Sequence, residues 1–232
     1  MGKDESDARQ HLALALDVDD LVAAARLARE LRPWFSVAKV GLELFSAAGP
    51  EAFGSVRDFG YAVFADLKLH DIPTTVHKAA RVLGALGVDL LTLHASGGEV
   101  MLRAGVEGFL EGAAAAGCPP PRPLAVTILT SEGERSPSVF AERVAAAIES
   151  GCAGVVCSAA DVPEAKRLAP RLLAVVPGIR PTGMPAHDQA TPATPAAALA
   201  AGADLLVIGR AVTSASDPAA AAAALAASID GA

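Results

Sequence analysis

The stretch YAVFADLKLHDIP, residues 61–73, runs from apolar residues into two acids, a lysine and a proline. Residues 61–65 have the length and composition of a buried strand, and Pro73 suits the first turn of a helix, where its missing N–H costs nothing. Strand side chains alternate, so Asp66 and Lys68 share one face while Leu67 and Leu69 pack under helices on the other. Asp71 falls beyond the strand, in the turn. A buried strand that ends in charge and passes directly into a helix reads as one βα unit.

The same beat recurs in both directions along the chain. Short apolar runs near 12–16, 36–40, 61–65, 89–93, 123–129, 153–157, 172–176 and 204–208 predict strands. Segments with apolar positions three or four apart predict helices near 19–31, 43–58, 74–86, 98–115, 138–149, 161–168, 193–201 and 217–228. Asp19, Ser138 and Asp217, the last followed by Pro218, stand where helix N-caps are needed. Strict alternation implies a parallel sheet, and eight units in 232 residues fit a compact, closed barrel. An open doubly wound sheet has the same element order. The barrel is favoured because unusual polar residues fall at strand carboxyl ends: Asp17, Lys39, Asp66, Lys68, His94, Thr130, Arg180 and Arg210. A barrel brings those ends to one mouth, whereas most could not meet across an open sheet. The expected architecture is α/β, a single-domain (β/α)8 TIM barrel over residues 11–232, preceded by a flexible N-terminal segment, residues 1–10.

Composition narrows the function. The net charge is −7, and no basic run offers a surface to nucleic acid or a membrane, so contacts to an anionic ligand must be local. Cys118, Cys152 and Cys157 have neither disulfide-like nor metal-ligand spacing, and read as ordinary thiols of a reducing compartment. The first ten residues, MGKDESDARQ, lack an apolar core, and no charge-free apolar run is long enough to span a bilayer. A cytoplasmic location is expected.

Two clusters carry chemistry. Asp66, Lys68 and Asp71, with Lys39 and Asp17 from neighbouring strands, predict a charged array over an apolar barrel floor. A salt-bridge network that merely closes a strand end is the bland reading, but desolvating five charges for stability alone is a poor strategy. At the last strand, Ile208-Gly-Arg210 lets backbone N–H groups approach an anion, and Arg180 and Arg210 add charge-assisted hydrogen bonds. Barrels often bind phosphate after strands seven and eight.

The segment from Asp66 to Thr75, DLKLHDIPTT, resembles the D-x-K-x-x-D-I-x-x-T signature of the orotidine 5'-phosphate decarboxylase family, in its shorter bacterial form. Leu-Ala-Leu-Asp17, Lys39-Val-Gly, Leu129-Thr-Ser131, Pro177-Gly-Ile-Arg180, Asp188-Gln189 and Ile208-Gly-Arg210 are similar to its other blocks in the same order, from about residue 12 to 213. The resemblance implies a cofactor-free and metal-free decarboxylation in pyrimidine nucleotide synthesis, with Lys68 protonating carbon six of the pyrimidine. It implies Asp66, Asp71 and Lys39 as further catalytic residues, and a homodimer in which Asp71 and Thr75 reach into the neighbouring subunit's site. Asp17 and Lys39 would hold the ribose hydroxyls. Ile72 and Thr130 would meet the substrate, and Gln189, Arg180, Gly209 and Arg210 would close on its phosphate. The chain departs from the pattern after Gln189, where Ala-Thr-Pro replaces the basic residues expected, and at His187, where an acid is usual. His94 is expected to line the site without acting as acid or base. The alternatives are a metal-dependent sugar-phosphate lyase or decarboxylase of the same barrel group, such as hexulose-phosphate synthase, and a phosphate-binding barrel without catalysis.

Overall fold

In the computed structural model, which describes residues 7–129, 136–180 and 193–230, eight parallel strands close into a barrel in chain order, with β1 paired to both β2 and β8. The strands are β1 (Leu12–Ala15), β2 (Val37–Gly41), β3 (Ala62–Leu69), β4 (Leu90–His94), β5 (Arg122–Val126), β6 (Gly154–Val156), β7 (Leu173–Val176) and β8 (Leu205–Ile208). Helices α1 (Leu21–Leu31), α2 (Leu42–Ala48), α3 (Glu51–Asp58), α4 (Pro73–Ala85), α5 (Gly98–Ala115), α6 (Pro137–Glu149), α7 (Val162–Leu168), α8 (Pro195–Ala200), α9 (Arg210–Thr213) and α10 (Pro218–Asp230) connect and follow them. The open-sheet alternative is thereby removed.

Strand alternation sorts the core into two layers. Ala13, Ala15, Val37, Phe64, Leu90, Leu124, Val175, Leu205 and Val207 fill the barrel interior. Their neighbours Leu12, Leu14, Ala38, Val40, Val63 and Ala65 face outward into the larger core beneath the helices. Inward parity continued towards the carboxyl ends reaches Asp17 after Ala15, Lys39 after Val37, and Asp66 and Lys68 after Phe64. The apolar floor and the charged mouth are therefore successive layers of one side-chain series.

Local chemistry moved several boundaries. The helix expected over 43–58 is two, because Gly49 takes a left-handed φ of 58° and Pro50 follows without an N–H for the first helix to use. The N-cap of α1 is Asp20 and not Asp19, with Asp20 accepting from Val22 N at 3.2 Å and Ala23 N at 2.7 Å. Ser136 replaces Ser138 at the start of α6, since Pro137 occupies the first turn. Asp217 caps α10 as expected, accepting from Ala220 N at 2.9 Å. The segment expected to be loose up to residue 10 is tied down from a 3₁₀ turn at Asp7–His11, where Ala8 is fully buried.

Helices α4 and α5, which flank the β3–α4 turn, pack almost backbone to backbone. A Cβ on Gly108 or Gly112 would collide with the carbonyl oxygens of His77 and Arg81. In an isolated helix, Gly to Ala would be worth about 1 kcal/mol; here the collision outweighs it. Gly112→Ala is expected to cost about 1–3 kcal/mol in urea unfolding. An unchanged or raised midpoint would mean that the helices do not approach so closely in solution.

Candidate active site

Four charges from three adjacent strands alternate in sign across the barrel mouth. Lys39 Nζ lies 2.9 Å from Asp17 Oδ1 and 3.6 Å from Asp66 Oδ2, and Lys68 Nζ lies 2.9 Å from Asp66 Oδ1. The inner members, Lys39 and Asp66, are nearly shielded from solvent at 10% and 16% side-chain exposure, while Asp17 at the end of the row is half exposed at 52%. Burial of such charges is tolerable only because each has an opposite partner within contact distance. Gly41 leaves room for the row: a Cβ there would stand 3.0 Å from Lys39 Nζ and 3.2 Å from Asp17 Oδ1.

The strand bearing the central pair is irregular. Ala65 pairs with Leu91 and Leu69 with Leu93, so one residue of β4, Thr92, faces three of β3, Asp66, Leu67 and Lys68. Lys68 takes φ 48°, the one positive φ at a non-glycine among the described residues, a conformation that costs about 1–3 kcal/mol. Thr92 Oγ1 accepts from Lys68 N at 2.8 Å and donates to Asp66 Oδ1 at 3.1 Å. Sequence reading passed over Thr92; a single threonine within an apolar strand carries no signal until its partner strand is known to bulge.

The array opens into a cleft of about 250 Å³ that also contains Arg180, Gly209 and Arg210, at the ends of β7 and β8. Phe64, Val126, Val156, Cys157 and Val207 supply apolar lining. Among the described residues, four cationic side chains, Lys39, Lys68, Arg180 and Arg210, face this cleft against two carboxylates, Asp17 and Asp66. A chain of net charge −7 thus presents a locally positive mouth, suited to an anion carrying more than one charge.

The remaining expected site residues divide into three groups. Asp71, Ile72 and Thr75 lie outside the cleft of their own chain and are exposed, with Asp71 Oδ1 accepting from Ile72 N at 2.7 Å. Thr130 and Gln189 lie outside the described residues, as do His187 and Asp188. His94 does not line the cleft as expected. Its Nδ1 sits 2.6 Å from the Ser96 hydroxyl, and its ring stacks on His70 with centroids 5.4 Å apart.

The sequence profile of the "Orotidine 5'-phosphate decarboxylase / HUMPS family" matches residues 10–225. The chain belongs to this family. It is 45% identical over 235 residues to the orotidine 5'-phosphate decarboxylase of Moorella thermoacetica, covering 96% of this chain and 93% of that protein. The corresponding protein of Thermobifida fusca is 46% identical over 230 residues, covering 94% and 95%. Among solved structures, the orotidine 5'-phosphate decarboxylase of Lactobacillus acidophilus superposes with a TM-score of 0.79 at 34% identity, over 95% of this chain and 99% of that one. Family membership accords with the fold seen here, a parallel barrel whose charged residues converge at the strand carboxyl ends.

Electrostatics at the centre of this family site can be tested directly. Burial works to raise the Asp66 pKa, but the Lys39 and Lys68 charges, with hydrogen bonds from Lys68 and Thr92, outweigh it and hold the carboxyl below the ordinary range. A depressed folded-state pKa contributes stability that is complete above the unfolded value, about 3.9, and is lost as pH falls through the folded value. The difference in unfolding free energy between wild type and Asp66→Asn should be flat from about pH 7 to 5 and shift in favour of the variant below about pH 4. A pH-independent difference would show that Asp66 is not held ionised by its neighbours.

Proposed function

We propose that this chain is a carboxy-lyase that converts orotidine 5'-phosphate to UMP and carbon dioxide without a cofactor, in pyrimidine nucleotide synthesis. The observation that carries the reading is the alternating row Asp17–Lys39–Asp66–Lys68 opening into the same cleft as two arginines. Its setting is a chain 45% identical to proteins named for that activity. Breaking the bond from carbon six to the carboxyl leaves an electron pair in the ring plane, where the ring π system does not delocalise it. The protein must therefore stabilise that charge electrostatically and supply a proton. Lys68 does both: its ammonium faces the developing carbanion and transfers one proton to carbon six, and solvent restores it.

Asp66 acts on the substrate carboxylate. Two like charges 4 Å apart repel by about 4 kcal/mol at an effective dielectric near 20, and departure of neutral carbon dioxide relieves that. Thr92 and both lysines keep Asp66 ionised for this purpose. At the array's outer end, Asp17 and Lys39 bind the ribose hydroxyls. Arg180, Gly209 and Arg210 bind the phosphate together with Gln189, far enough from carbon six that their binding energy orders the site without touching the reacting bond. Thr130 completes the pyrimidine contacts.

A second copy of the chain supplies Asp71 and Thr75. In one chain Asp71 and Thr75 stand outside the cleft and are exposed, as is Ile72 between them at 67%. No helix among the described residues is long and apolar enough to cross a membrane.

Two experiments test the reading. Purified protein mixed with orotidine 5'-phosphate in excess EDTA should consume it, followed by loss of absorbance, and Lys68→Ala should abolish turnover. Activity only on a sugar phosphate, and only with added Mg²⁺, would move the chain to the metal-dependent branch and make Asp66 a ligand. For the shared site, inactive Lys68→Ala and Asp71→Ala proteins are mixed and allowed to exchange subunits. If Asp71 acts across the interface, hybrid dimers hold one intact site and activity should return to roughly a quarter of wild type. If it acts within its own chain, the mixture stays inactive.

A further inference from the structure

We propose that Thr92 is a positioning residue that sets the geometry of the catalytic pair, holding the Lys68 backbone in its left-handed conformation and the Asp66 carboxylate in register with both lysines. The inference rests on the decarboxylase reading for its kinetic consequence, and on β-sheet geometry for the rest.

Three residues of β3 stand opposite one residue of β4, so the ladder between Ala65 and Leu69 is interrupted and the Lys68 N–H has no strand carbonyl. An unpaired N–H at this depth would cost roughly 1–3 kcal/mol. Thr92 Oγ1 takes it at 2.8 Å. The same oxygen carries one hydrogen, and it is given to Asp66 Oδ1 at 3.1 Å. One hydroxyl thus uses its donor and one acceptor position on two successive requirements of the site. Asp66 Oδ1 is fixed between the Thr92 hydroxyl and Lys68 Nζ, which leaves Oδ2 for Lys39.

The bland account, that a buried threonine simply satisfies itself on the nearest carbonyl, describes another residue of this chain. Thr127 is equally buried, and its Oγ1 donates to the Val156 carbonyl at 2.9 Å. Thr92, fully buried on the inward face of β4, instead bonds the Lys68 backbone amide and the Asp66 carboxylate beside it. A hydroxyl is needed there, since valine would fill the same volume and leave both the Lys68 N–H and one side of Asp66 unmet.

The test separates hydroxyl from shape. Thr92→Val keeps the volume and loses the hydroxyl; it should lower kcat on orotidine 5'-phosphate about 10- to 100-fold, with KM within about threefold of wild type. Thr92→Ser should stay within about threefold of wild type in both. Should Thr92→Val prove too unstable to assay, Thr92→Ser and Thr92→Ala share the lost methyl and differ only in the hydroxyl, and the same kcat gap is expected between them. Two readouts are independent of turnover: the Lys68 amide should exchange with solvent faster in Thr92→Val, and the Asp66 carboxyl should titrate at higher pH by carbon NMR. Equal kcat loss in the serine and valine proteins, or a valine protein within about twofold of wild type, overturns the proposal. If wild type does not decarboxylate the nucleotide, the functional reading fails while amide exchange and titration still decide the role of Thr92.

Discussion

The carboxylate of Asp66 between two ammonium groups is the constraint around which the mouth of this barrel is arranged. A single charge at that depth would be expelled or neutralised, because the penalty for leaving water is several kcal/mol per ion. Lys39 and Lys68 hold the Asp66 carboxyl below the ordinary range against the effect of burial, and Lys39 in turn is shared with Asp17. None of these contacts is local along the chain except that of Asp66 with Lys68. The row exists only after β1, β2 and β3 have paired, so the site is a product of barrel closure and not of any one segment.

Closure also explains the contrast between the whole surface and the mouth. The chain as a whole carries −7, yet among the described residues the cleft faces four cations against two carboxylates. A locally positive site in an acidic protein does not attract polyanions generally; it selects a small ligand able to enter the mouth and meet both ends of it. The two ends differ in construction. On the β1–β3 side the charges are partnered with one another, so their positions are set before a ligand arrives. On the β7–β8 side the charge comes from arginines flanking glycine, beside backbone that can approach an anion closely.

Much of this was legible in the chain. Eight strands, their order and the charged carboxyl ends follow from short apolar runs and from the polar residue that ends each. Lys39, Asp66, Lys68, Arg180 and Arg210 were all placed at one mouth before any geometry was available, because each broke an apolar pattern. What escaped was information that no single strand contains. The bulge of β3 depends on its register with β4, so the left-handed Lys68 and the role of Thr92 were invisible. His94 has the position of a site residue, yet it is not among the residues lining the cleft, and its ring meets Ser96 and His70, which are not strand neighbours. The break between α2 and α3 was a misread signal: Gly49-Pro50 was present in the sequence and was overridden by helical periodicity on either side.

The departures from sequence-structure consistency coincide in space. A lysine in a glycine-like conformation, an interrupted ladder and a row of shielded ions each oppose stability, and replacing such ions with well-packed apolar residues often leaves a protein as stable or more so. Here they meet at Asp66 and Lys68 of β3, with Thr92 of β4 bonded to both. A fold that needed only to stand would have no use for these costs in one place. Their concentration around Asp66 and Lys68, where the charged row opens into the cleft, marks the one place at which this fold departs most from what stability alone would favour.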